Sequence, residues 1–113
     1  MLYILSRDFE VVAVANNIGS AMPYYNDKHV QNLEAGSSYY EFTVPTVHED
    51  SNKVIEGNYV VRTDLDGNHL MFTIMNTDET HADSSEKSVY CEDAGMELLN
   101  EIEEPYKEIT AKD

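Results

Sequence analysis

Hydrophobic and polar positions alternate along most of this chain with the two-residue period of strands. The clearest run is YYEFTVP, residues 39–45, with Tyr40, Phe42 and Val44 on one face and Tyr39, Glu41 and Thr43 on the other. Pro45 ends it, having no amide hydrogen to give a ladder. Residues 2–6 and 10–15 predict two short strands around Arg7, Asp8 and Phe9, a first hairpin. Weaker alternation marks 28–33, and 87–92 supply one more strand. Between these, 16–22 is loop-like and ended by Pro23, and 34–38 has the composition of a turn. Residues 46–57 suit a helical turn or structured connection closed by Gly57, and the polar stretch 78–86 predicts a mobile loop.

The period changes at the end. Ala94, Leu98 and Ile102 recur every four residues with Leu99 beside them, which lines one side of a helix. Asp93 is placed to accept hydrogen bonds from its first free amides, and Pro105 to stop it. Gly95 in the first turn costs up to about 1 kcal/mol relative to alanine without overturning the pattern. The expected organisation is an antiparallel β domain over 1–92, followed by a helix and the start of a cut-off region over 93–113.

Residues 58–74, NYVVRTDLDGNHLMFTI, admit two readings. DLDGN resembles the opening of a calcium loop, which needs a glycine at the sixth position and a bidentate glutamate at the twelfth. Counted from Asp64, those positions hold His69 and Met75, so the segment reads as a hairpin. With Asp66 and Gly67 as the central residues of a tight turn, Asp64 faces His69, Val61 faces Phe72 and Tyr59 faces Ile74. That register collects an almost wholly apolar face, the usual mark of correct pairing. Together the elements predict a mainly β fold of about seven antiparallel strands and one terminal helix, a small barrel or rolled sheet.

The chain has 113 residues, enough for one domain with a modest core. Its 22 acidic and 7 basic residues give a formal net charge of −15, which opposes adhesion to nucleic acid or anionic membrane, because such partners are held by Lys and Arg. No signal peptide or membrane span is visible, so the chain is expected to be made and folded in a cytoplasm. Cys91, the single cysteine, permits no intrachain disulfide and reads as a small buried side chain.

Catalytic chemistry has little to work with. His29, His48, His69 and His81 are scattered without a second ligand at useful spacing, and His48 with Glu49 and Asp50 fits a charged loop better than a metal cluster. No GxSxG stretch and no phosphate-binding glycine loop occurs. The reading therefore assigns no catalytic, cofactor-binding or metal residue, although paired carboxylates of a small hydrolase could be drawn from so many acids. Eight tyrosines and no tryptophan raise a second possibility, since tyrosine faces stack on glycans and pack at interfaces. Tyr40, Tyr59 and Tyr90 fall at strand spacing and read as core; Tyr24, Tyr25 and Tyr39 lie by loops and are the candidate interface.

The order MLYIL, EFTVP, VIEGNYVVRTDLDGNHLMFTI, KSVYCEDAGMELLNEI resembles the N-terminal region of tail-hub proteins of long-tailed phages and prophages of Gram-positive bacteria. These are often described as phage minor structural proteins or prophage tail endopeptidases. The strand ending at Val44 and Pro45, the Gly57–Asn58 pair and the strand leading into Glu97, Leu98 and Leu99 carry the likeness, which spans essentially the whole chain. It departs at Arg7, Asp8 and Phe9, where a glycine is expected, and at Cys91, where a small residue such as alanine is expected. The resemblance implies a tail-tube-like β domain that is no enzyme. Such a domain forms a homotrimeric ring at the baseplate or tail tip of the virion, docks on the distal tail protein and tail-tube neighbours, and joins them to receptor-binding or wall-degrading parts. DNA would pass through the ring as cargo. The alternative is a standalone carbohydrate-binding β module using its exposed tyrosines.

Overall fold

A computed structural model describes residues 1–19, 21–32, 37–63, 67, 69–80 and 85–94. Its strands are β1 (Leu2–Leu5), β2 (Val11–Ala15), β3 (Tyr25–Asn32), β4 (Ser37–Pro45), β5 (Tyr59–Thr63), β6 (His69–Thr80) and β7 (Glu86–Asp93), with a 3₁₀ helix at Glu49–Lys53. They form one antiparallel sheet in the order β2-β1-β5-β6-β7-β4-β3. The mainly β fold expected from the alternation is the one observed.

The sheet is rolled. In a flat sheet β3 and β5 would lie four strand spacings apart, roughly 19 Å. Instead Arg62 Nη1 of β5 is 3.1 Å from His29 Nδ1 of β3, and the His29 ring meets Phe72 of β6 edge-on at 5.4 Å. Curling brings one face of β1, β2, β4, β5, β6 and β7 onto a common core, which includes Leu2, Ile4, Ala13, Tyr40, Phe42, Val60, Phe72, Ile74, Val89 and Cys91. The roll does not close into a barrel, because β2 and β3 are the two edges. The chain after β2 turns back on it, with an Ala15–Met22 bridge and a 2.9 Å bond from the Asn16 amide to the Met22 carbonyl.

The first hairpin forms where the sequence predicts it. The Ser6 amide donates to the Glu10 carbonyl, and the Ser6 Oγ accepts from the amides of Asp8 and Glu10. The left-handed position that a glycine would fill is taken by Phe9, at φ 64°. Its ring stacks on Tyr59 at a centroid distance of 5.2 Å, which offsets the unfavourable backbone.

The β5–β6 hairpin exists, but its register differs by one residue from the tight-turn expectation. Thr63 pairs with His69, Val61 with Met71, Val60 with Phe72 and Tyr59 with Thr73, so residues 64–68 connect the strands. His69 Nδ1 lies 2.9 Å from Thr63 Oγ1, the position expected for Asp64. The cause is burial on both faces. Val60 and Phe72 enter the main core, whereas Tyr3, Leu5, Val61 and Met71 form a second cluster on the other face, with Phe9, Val11 and Tyr59 packed against it. All four residues of β1 are buried for the same reason. Where both faces are apolar, one clean apolar face ceases to identify the register. Gly67 has φ +84°, in keeping with a glycine-dependent turn; Asp66 lies outside the described residues.

Two further boundaries move. β6 runs to Thr80 and β7 starts at Glu86, so both ends of the expected 78–86 loop belong to strands, joined by Asp78–Ser88, Glu79–Lys87 and Thr80–Glu86 pairs. Asp93 is the last residue of β7, and the Ala94 amide bonds the Met71 carbonyl at 3.0 Å; the amides that Asp93 is expected to cap lie outside the described residues. The helix expected beyond Ala94 lies outside the described residues.

The 46–57 connection is the structured turn that its texture predicts. Val54 plugs the core, the Ser51 hydroxyl donates to the Thr46 carbonyl at 3.0 Å, and the Asn58 amide to the Lys53 carbonyl at 2.8 Å. Lys87, on the inner face of β7 and 5% exposed, donates from Nζ to the carbonyls of Ser51 (2.7 Å) and Val54 (3.1 Å). Gly57 closes the segment at φ +93° beneath the Arg7 guanidinium, 2.5 Å from where a Cβ would stand.

Candidate functional site

Residues paired across antiparallel strands point to the same face, so the registers of β3, β4, β7 and β6 generate a lattice on the outside of the roll. One row is Tyr25, Thr43, Ser88 and Asp78; the next is Lys28, Glu41, Tyr90 and Asn76. Between them lies an open depression of about 350 Å³ whose rim includes the Asn26 and Asn76 amides. Two β-bulges flank it, one in β3 between Tyr25 and Lys28 and one in β6 between Ile74 and Asn76. Bulges bend a strand and redirect its side chains, and here they turn an otherwise regular sheet face into a hollow. Asn26 sits in the first bulge at φ 54°, a left-handed conformation that asparagine tolerates better than most residues.

The candidate tyrosines separate. Tyr39 and Tyr25 are both on this outer face, four residues apart in terms of their β4 positions, because Tyr25 pairs with Thr43. Tyr39 packs against Tyr90 at 5.5 Å, and Tyr25 is hydrogen-bonded to Glu86. Tyr24 packs instead against the main core, and its hydroxyl accepts from the Met1 amino group at 3.0 Å. Tyr40 is a core residue as expected, and Tyr59 packs against the second cluster. Tyr90 is not core: it is half-buried on the outer face and lines the hollow. The alternation of Val89 and Cys91 with Ser88 and Tyr90 carried that information; the apolar character of the ring masked it.

A second polar group closes one end of the roll. Arg62 lies 4.9 Å above the Tyr40 ring and reaches His29, while the Tyr40 hydroxyl donates to Asp27 at 3.1 Å. Burial, and next the Asp27 carboxylate, push the Tyr40 phenol well above its ordinary range. These contacts tie β3, β4 and β5 together, and their chemistry is that of a plug. Cys91 is fully buried in the core, where desolvation raises its thiol pKa and suppresses the reactive thiolate.

Among the described residues, no group of three His, Cys, Asp or Glu is arranged to hold a metal ion, and no helix is long and apolar enough to cross a membrane. No family of known proteins, no curated protein and no solved structure matches this chain.

Proposed function

We propose that this chain is an assembly domain of a phage or prophage tail-tip hub, working by forming a ring that joins the tail tube and distal tail protein to downstream receptor-binding or wall-degrading parts. The observation that carries this reading is the unequal pair of sheet edges. β2 is VVAVA, an edge strand without a single charged or polar side chain, whereas β3, YNDKHVQN, is polar almost throughout. An apolar edge, covered here only at its Ala15 end by the Met22 bridge, is a liability for a protein that works alone, and natural proteins guard such edges with charges or cover them. Pairing β2 of one copy with β3 of the next removes both edges, and a head-to-tail contact of this kind generates a closed ring when its rotation closes. The resemblance of its sequence segments to those of tail hubs implies a trimer. The net charge of −15 supports an acidic bore, from which DNA is repelled and so passes without sticking.

The test combines this chain with the distal tail protein of the same tail, followed by light scattering and electron microscopy. A three-fold ring with an acidic bore is expected, and Val12→Lys on β2 is expected to abolish it while leaving the far-ultraviolet circular dichroism unchanged. Monomers in every mixture, or a ring with a neutral or basic bore, would overturn the reading.

A further inference from the structure

We infer that the hollow on the outer face of β4, β7 and β6 is a binding site for a neutral saccharide, a function separate from ring assembly and from the edges that carry it. Its volume, about 350 Å³, lies at the small end of ligand pockets and suits one or two sugar rings. Its chemistry selects the ligand class. Asn26 and Asn76 offer amides that donate and accept, Ser88 a hydroxyl that does both, and Glu41 and Asp78 carboxylates that accept. This mixture matches ring hydroxyls, each of which also donates and accepts. Tyr90, braced by Tyr39, provides an aromatic surface for the C–H face of a pyranose.

Other ligands fit less well. Phosphate, sulfate and nucleic acid would meet two carboxylates in the hollow, with Lys28 paired to Glu41 as the nearby cation in these rows. An apolar peptide would bury the amides and acids without partners. The backbone adds an independent argument. The bulges stand on opposite sides of the hollow at its two asparagines, and one of these residues is held at positive φ. A regular ladder would have served the fold without either distortion, and such departures concentrate where a side chain must be aimed.

The experiment is an amide-detected NMR titration of the chain with methyl glycosides of glucose, galactose and N-acetylglucosamine, and with maltose and cellobiose. L-arginine and inorganic phosphate serve as charged comparators. At least one neutral saccharide is expected to produce saturable shifts confined to Asn26 and the Glu41–Thr43, Asn76–Asp78 and Ser88–Tyr90 segments, with a millimolar Kd. Ser88→Arg, at an exposed position, should fill the hollow and abolish the shifts, and Tyr90→Ala should weaken binding about tenfold through loss of the stacking surface. Both variants should keep the native peak dispersion elsewhere. The inference is overturned if no neutral saccharide gives a saturable shift up to about 50 mM, a concentration at which even weak sites fill. Shifts that survive Ser88→Arg, or L-arginine saturating the hollow where the sugars do not, would equally overturn it.

Discussion

Lys87 shows how a charged residue comes to occupy an inner face. Its stem lies along the core side of β7, and its ammonium caps two carbonyls at the end of the 3₁₀ helix. The Glu79 carboxylate, about half exposed, stands 3.7 Å away and contributes little, as surface ion pairs do. Lys87→Met is therefore expected to cost about 1–3 kcal/mol, chiefly from the lost bond to the Val54 carbonyl, since the Ser51 carbonyl keeps the Val54 amide as a donor, whereas Glu79→Gln should cost less than about 0.5 kcal/mol. Urea midpoints at constant slope would separate the two. Cys91 and Tyr40 set the alkaline limit. Burial raises their pKa values from ordinary values of 9.0 and 10.0, so above those pH values the unfolded chain releases protons that the folded chain retains. The sign is then fixed: stability is intact below about pH 9 and falls as pH rises, by up to about 1.4 kcal/mol per pH unit for each group. Cys91→Ala should delay the onset by about one pH unit, a shift readable from urea titrations between about pH 7 and pH 11.

At the level of elements, alternation revealed the β4 strand, with its one apolar face, and the structured turn around its single apolar anchor Val54, whereas the first hairpin, apolar on both faces, was legible from two apolar runs around the charged Arg7 and Asp8. It misplaced the β5–β6 register because Val60 and Val61, adjacent in sequence and both fully buried, serve different clusters. It also stopped β6 too early, since polar pairs such as Asp78 with Ser88 keep the ladder without adding to any core. The hollow was illegible for a different reason: it depends on two bulges, and nothing in YNDK or TIMN announces an extra residue. Two-sided burial has a measurable consequence. Val60→Ala and Val61→Ala should each destabilise the chain by roughly 1.5–3 kcal/mol, whereas a strand solvated on one face would register only one of the losses. Gly57→Ala should cost about 1–3 kcal/mol from positive φ and the approach of Arg7; adding Arg7→Ala should recover only the steric part.

For the whole molecule, charge and topology set behaviour that no single strand determines. A net charge of −15 on so small a chain implies self-repulsion in the compact state. Raising sodium chloride from about 20 mM to about 500 mM should raise the thermal midpoint, as screening shortens the reach of those charges. The strand order carries a kinetic consequence. The β1–β2 and β3–β4 hairpins are neighbours in sequence but attach to opposite flanks of the β5–β6–β7 meander, one through β5 and the other through β7. On a ribosome, the β1–β2 hairpin must wait for β5 and the β3–β4 hairpin for all three later strands before each finds its seat. Chaperone demand and proteolytic vulnerability should therefore peak while synthesis is passing through the middle of the chain, and fall once Glu86–Asp93 are out.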